Sequence, residues 1–240
     1  KRVAADNVPL YRDRGLKFVL QGGEKHAVTG HSFVSEANFE TAVGREATRV
    51  VSCNTTATVR TLGALKRAGL LLRARGVLLR RATDPWESHL GGIMNTLVPE
   101  PEIPSHQGPD AQTGDPDLDV VTMAVRVPET IAHLHYWSIQ MTRTADKDEV
   151  LDALRSSSRI LLMKDAYGLN ALNAVKELMA DRCRSRSDLY EVALWANMLK
   201  VQGDELFYAY MVDNQAIVVP TDLAMGIEGG LFSEAGSRTT

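Results

Sequence analysis

Cysteine is scarce in this chain: Cys53 and Cys183 are the two thiols among 240 residues. Two thiols cannot make a disulfide framework, so a reducing, cytoplasmic compartment is expected. Long apolar runs are missing as well. No stretch approaches 18 consecutive apolar residues, which excludes a membrane-spanning helix. The first residues show no basic segment leading into an apolar run and a small-residue cleavage site, so no secretory signal is read there. Neither sign of charge dominates, since Lys plus Arg total 27 and Asp plus Glu total 30, a net charge of −3. That balance argues against a strongly basic nucleic-acid binder and against an acidic disordered tail. Internal repeats and low-complexity segments are absent too. What remains is ordinary: 44% hydrophobic and 24% charged residues, with room for one large domain or one domain and part of another. The chain opens at Lys1, without a methionine and already in structured-looking sequence, so a missing N-terminal part is expected.

Local patterns place the elements. Residues 16–21 read as a short buried strand stopped by Gly22-Gly23, and residues 48–52 as a second strand. From Asn54 to Ala68 the pattern turns helical, with Val59, Leu62, Leu65 and Ala68 at three-residue steps and Gly69 in the C-cap position. A strand at 76–80 runs into the pair Arg80-Arg81. Residues 98–117 hold five of the nine prolines and read as a long loop, a feature that is usually functional or disordered. Strands are expected at 119–127, 132–142, 159–163 and 189–195, and helices at 147–155 and 170–181. A hairpin is expected from Met198 through Gln202-Gly203-Asp204 to Leu206–Val212. Clustered strands with few helices after residue 119 imply an α+β fold with a mostly antiparallel mixed sheet and packed helices.

Chemistry concentrates at Ser52-Cys53-Asn54-Thr55-Thr56, where a buried strand hands over to a helix. Unpaired backbone N–H groups and the positive end of the helix dipole converge there and favour a thiolate. Such a thiol can titrate at roughly 3.5–7.5 rather than about 8.5. Asn54 and Thr55 also suit any helix start, and a cysteine there can be a plain core residue. Cys183, among Arg182, Arg184 and Arg186, reads as an incidental thiol in a basic turn.

Val51-Ser-Cys-Asn-Thr-Thr resembles the active-site segment of phosphorylating glyceraldehyde-3-phosphate dehydrogenases of the archaeal type. Further blocks follow in the family's order: Phe18-Val-Leu-Gln-Gly-Gly-Glu-Lys, Arg80-Arg-Ala-Thr-Asp-Pro, Gly91-Gly-Ile-Met-Asn-Thr-Leu-Val-Pro, Ile103-Pro-Ser-His-Gln-Gly-Pro-Asp, His133-Leu-His-Tyr-Trp and Asp213-Asn-Gln-Ala-Ile-Val-Val-Pro. The resemblance covers roughly residues 17–220. It implies that residues 1–52 are the tail end of an α/β Rossmann nucleotide-binding domain. Residues 53–220 would then be the catalytic and tetramerisation domain, and residues 221–240 a divergent or truncated tail.

The implied reaction oxidises D-glyceraldehyde 3-phosphate, with inorganic phosphate, to 1,3-bisphosphoglycerate. NAD or NADP takes the hydride, and the reaction runs through a hemithioacetal and a thioester on Cys53. A base must remove the hydroxyl proton. The six histidines are His26, His31, His89, His106, His133 and His135. By resemblance the base is His106, in the Pro-rich loop. His133 and His135 alternate along a strand and share one face, either as polar positions of a half-buried sheet or with one assisting catalysis. Where the family often has a second histidine, Gln107 stands. The resemblance puts Ser52, Cys53, Asn54, Thr55, Arg80, Thr83, His106 and Gln107 on the substrate and its phosphates, since arginine forks match phosphate geometry. Without that context, Arg80 and Arg81 read equally as solvated charges at a strand end. Gly23, Arg81 and Gln215 are placed on the cofactor, with the Gln215 amide matching the nicotinamide carboxamide. No metal is implied, and a homotetramer is.

No G-x-G-x-x-G occurs in the chain. The fingerprint that holds a dinucleotide's pyrophosphate is therefore expected to lie outside it, and this chain alone is expected to lack dehydrogenase turnover. Two alternatives stay open: a related cysteine-dependent semialdehyde or acyl-phosphate dehydrogenase, and a non-catalytic unit that folds and assembles with its own kind.

Overall fold

Short strands rich in branched residues and one long buried helix organise the chain, for which the computed structural model describes residues 2–21, 23–82 and 96–230. Strands β1 (Phe18–Leu20), β2 (Ser32–Phe33) and β3 (Ala47–Val50) form a parallel sheet in the order β1-β3-β2. Helices α1 (Arg2–Asp13), α2 (His26–Thr29) and α3 (Ser35–Ala42) accompany it. All four residues of β3 are buried, and the strand passes through Val51 and Ser52 directly into α4 (Cys53–Arg67).

Ser52 has extended backbone angles and its Oγ accepts the Thr55 N–H at 3.3 Å, so it is the N-cap of α4. Every residue from Cys53 to Leu65 is buried. Gly69, at φ +69°, ends the helix, with its N–H donating to the Lys66 carbonyl at 2.9 Å. The strand–helix junction expected at Cys53 is thus present.

The larger sheet contains β4 (Leu71–Arg81), β5 (Val98–Pro99), β6 (Val120–Val127), β7 (His133–Met141), β8 (Ile160–Met163), β9 (Val192–Trp195), β10 (Lys200–Gln202) and β11 (Glu205–Val212). Its order is β5-β6-β4-β7-β11-β9-β8, with β10 pairing on β11. The pairs β4–β6 and β8–β9 are parallel and the other five antiparallel, the mostly antiparallel mixed sheet expected of an α+β fold. One face packs on α4 and on α6 (Lys147–Arg155) through Leu62, Leu78, Ile139, Leu154 and Tyr210. Near β8, β9 and β11 the opposite face is covered by α7 (Leu172–Asp181) through Val175 and Met179.

Two expectations need correction. The segment 98–117 is not one long loop: it contains β5 and helix α5 (Gln107–Gly114). Pro109 is compatible with that helix because it sits in the first turn, where backbone N–H groups have no intrahelical acceptor. Helix α8 (Gln215–Glu228) runs across Pro220, and its Val219 packs with Phe33, Ala42 and Val50 of the parallel-sheet unit. Its Asp222 is wholly buried, pairs with Arg60 of α4 at 3.1 Å, and accepts the Ser35 hydroxyl at 2.7 Å. The hairpin is shorter than expected, beginning at Lys200, with Gly203 at φ +64° in its turn.

Candidate active site

The N-terminus of α4, the C-terminal end of β4, the start of β7, helix α5 and the segment after β1 converge on a cleft of about 810 Å³. Gly23, Ser52, Cys53, Asn54, Arg80, Arg81, His106 and His133, all singled out in the sequence, line it. Thr83 lies outside the described residues, as do His89 and most of the block at 91–99. Gln215 opens α8, and its side chain lies outside the described part.

Thr55 and Gln107 are fully buried and are not among the residues that line the cleft. The Thr55 hydroxyl instead donates to Asp110 Oδ2 at 3.0 Å, tying α4 to α5. The Gln107 amide has no hydrogen-bond partner among the described residues.

Cys53 is 3% exposed, and burial pushes its thiol up to about 12. The helix-start expectation of a depressed value therefore does not hold. The N–H groups of Asn54 and Cys53 and the charges of Arg81 and Arg80 all pull the other way, as expected, but loss of solvation outweighs them. At neutral pH the group is a thiol, and any attack by the sulfur must be coupled to a proton acceptor.

The three histidines of interest occupy different settings. His106 stands at the N-cap of α5 with its side chain 61% exposed and Nδ1 3.4 Å from Glu100 Oε2. His133 is buried in the cleft wall and its Nδ1 accepts the Arg81 N–H at 2.9 Å. Burial and the charges of Arg80 and Arg81 push His133 down to about 3, so the ring is neutral and carries its proton on Nε2. It can donate to a ligand but has no lone pair left to offer. His135, on the same face of β7, lies outside the cleft lining and is completely buried beneath Asn54.

Arg80 pairs with Glu100, while the Arg81 guanidinium donates to the Thr130 carbonyl at 3.2 Å. An anion bound by Arg80 competes with Glu100 for that guanidinium. Arg49, which the sequence reading passed over, also lines the cleft. It is buried, pairs with Asp110, and donates to Ser32 Oγ at 2.8 Å and Thr113 Oγ1 at 3.0 Å. A charged residue in the middle of the apolar run Thr48–Val51 was the signal for it. Gly23 has φ +95°, a conformation that favours glycine, and brings backbone without a side chain to the cleft. Among the described residues no cluster of His, Cys, Asp or Glu could hold a metal ion, and no helix is long and apolar enough to cross a membrane.

Residues 52–186 match the family model described as glyceraldehyde 3-phosphate dehydrogenase, C-terminal domain. The glyceraldehyde-3-phosphate dehydrogenase of Methanobrevibacter smithii is 37% identical over 222 residues, which are 92% of this chain and 65% of that protein. The corresponding protein of Pyrococcus abyssi is 40% identical over 221 residues, again 92% of this chain and 65% of the relative. The chain thus spans a little under two thirds of the length of these relatives. Among solved structures, aspartate semialdehyde dehydrogenase II from Vibrio cholerae superposes with a TM-score of 0.71 over 95% of this chain and 76% of its own. At 15% identity that likeness is one of fold.

Proposed function

Because the chain belongs to the glyceraldehyde 3-phosphate dehydrogenase family through the C-terminal domain at residues 52–186, we propose that its cleft performs phosphorylating oxidation of D-glyceraldehyde 3-phosphate to 1,3-bisphosphoglycerate. The observation that carries this reading is the convergence of Cys53, His106, Arg80 and Arg81 on one cleft. Cys53 attacks the aldehyde carbon and gives a hemithioacetal. Because the thiol is protonated at neutral pH, its proton must be taken up as the sulfur adds. His106, at the open rim and in reach of solvent, accepts it, passes it to the carbonyl oxygen to complete the hemithioacetal, and takes it back as hydride leaves. Neutral His133 donates from Nε2 to the oxygen that gains charge, a role that a fixed tautomer suits. Arg80 and Arg81 hold the substrate phosphate and the attacking phosphate; phosphate oxygen then bonds to the acyl carbon of the thioester as the C–Sγ bond breaks, Cys53 leaving as the thiolate and regaining a proton.

A nicotinamide fits the wall formed by Gly23 and Arg81, where the absent side chain at Gly23 leaves room for a close backbone approach. NAD or NADP, when bound, supplies the hydride acceptor. In this reading residues 1–52 form the nucleotide-binding part and residues from 53 onward the catalytic part. The exposed sheet residues Val77, Met123 and Tyr136, with Met198 in the turn before β10, support assembly of like copies, a homotetramer. Two free cysteines support a cytoplasmic setting.

The test is phosphate-dependent nicotinamide reduction by the whole protein. His106→Gln is expected to lower kcat by roughly 10²-fold or more. If His106→Gln leaves kcat within about twofold of the parent and His133→Gln lowers it that far, the proton role belongs to His133.

A further inference from the structure

Beneath the nucleophile lies a buried relay that the reaction scheme above does not use. Tyr210 of β11 and His135 of β7 are directly opposed across the sheet, with ring centroids 4.8 Å apart. His135 Nδ1 is 2.8 Å from the Tyr210 hydroxyl, and His135 Nε2 is 2.8 Å from Asn54 Oδ1. An amide oxygen only accepts, so Nε2 carries the proton and donates to Asn54. Nδ1 then has a lone pair, which accepts the Tyr210 O–H. All donors in the chain point one way, from Tyr210 through His135 to the Asn54 oxygen. Burial, His133 and Arg80 hold His135 well below the ordinary histidine range, which keeps the ring neutral and the direction fixed.

That direction decides what Asn54 offers the cleft. Its oxygen is turned to His135, so its NH₂ group is turned away from it. Asn54 lines the cleft beside Cys53, and its Nδ2 has no acceptor among the described residues. Donors of this kind, fixed before the reaction starts, are what an oxygen gaining charge requires.

We propose that the Asn54 side-chain amide, oriented by the Tyr210–His135 relay, donates a hydrogen bond to the carbonyl oxygen as Cys53 adds to it. The proposal rests on the reading of Cys53 as an acyl-accepting nucleophile. With an aryl ester the step is as follows. The Sγ–C bond forms and the carbonyl π pair moves onto oxygen, where Asn54 Nδ2–H meets it. The C–O(aryl) bond then breaks as the oxyanion collapses, the phenolate leaves with that pair, and the thiol proton passes through His106 to water. His135 and Tyr210 touch no substrate and are positioning residues.

The test compares two reactions of the same sulfur in this chain. Acylation by p-nitrophenyl acetate passes through an oxyanion, whereas alkylation by iodoacetamide displaces iodide at carbon and does not. The readout is the ratio of the two rate constants at one pH. Removing an oxyanion donor costs roughly 10²–10³-fold. Asn54→Asp, which keeps an acceptor for His135 but loses the NH₂, is therefore expected to lower the ratio by about 10²-fold. Tyr210→Phe, which removes only a hydroxyl, frees the ring to change tautomer and the amide to turn over, and is expected to lower the ratio about tenfold. Long-range ¹H–¹⁵N spectra should show His135 protonated on Nε2 in the parent and redistributed in Tyr210→Phe. A ratio unchanged within about twofold in Asn54→Asp, or a parent His135 protonated on Nδ1, overturns the proposal while leaving Cys53 as nucleophile. If Cys53→Ser is acylated as fast as the parent, the reading of the cleft itself fails, and the proposal with it.

Discussion

Asp222→Ala is expected to lower unfolding free energy by about 3–5 kcal/mol. Arg60 and Asp222 are both fully excluded from solvent, in the core between α4 and α8. Removing the carboxylate leaves a buried guanidinium whose Nε already lacks a partner among the described residues, with the Tyr190 carbonyl at 3.1 Å as its remaining acceptor among them. It also takes the carboxylate acceptor from the Ser35 N–H and hydroxyl, leaving the hydroxyl its contact to Met225 Sδ at 3.6 Å. Against a typical total of about 5–15 kcal/mol, the loss is a large fraction of the fold's stability. The double variant Arg60→Met/Asp222→Leu should recover much of it, since the burial cost of both charges disappears together. Urea unfolding of the three proteins measures this. A single-variant loss below about 1 kcal/mol would show that the pair is solvated in solution.

The second large effect is on the acid side. His31 and His133 are pushed down to about 4 and about 3, and His135 lies well below the ordinary value, in each case chiefly through burial. In the unfolded chain all three titrate near 6.5. Below that pH the unfolded state binds protons that the folded state does not, so the stabilisation is complete above about 6.5 and falls as pH drops toward 3. Three protons give a slope of up to about 4 kcal/mol per pH unit near pH 5. Urea midpoints at pH 8, 6.5 and 5 should fall mainly across the second interval, and His133→Gln should remove about one proton from the slope. A midpoint independent of pH between 6.5 and 5 would contradict the burial of these rings. On the alkaline side the sign reverses for Cys53: the folded state keeps its thiol proton up to about 12, so stability declines once pH exceeds the ordinary thiol range.

Strong local signals carried most of the fold. The α4 helix with its Gly69 cap, the α6 helix at 147–155 and the strands β6 and β7 follow from periodicity over eight or more residues. The N-terminal helices were not legible, because α2 is four residues long and α3 is kinked at Asn38, with φ −140°. Helix α5 was hidden by its composition: Gly108, Pro109 and Gly114 are loop residues by propensity, and tertiary bonds such as Gly108 N–H to Thr122 Oγ1 at 2.9 Å override them. Cys53, Asn54, His106 and the arginine pair, picked out by residue type, do share one cleft. Burial was not legible. The direction of the Cys53 shift, the burial of Thr55 and Gln107, and the difference between His133 and His135 all depend on which atoms lose water.

The central claim is that Cys53 forms the covalent intermediate. The direct measurement incubates the whole protein with D-glyceraldehyde 3-phosphate and the oxidised nicotinamide cofactor without phosphate, quenches in acid and maps peptides by mass spectrometry. A glyceroyl thioester on the peptide carrying Cys53, lost when phosphate is restored and absent in Cys53→Ser, is the predicted result. An acyl group on Cys183, or oxidation of the aldehyde with Cys53 left unmodified throughout, would contradict it.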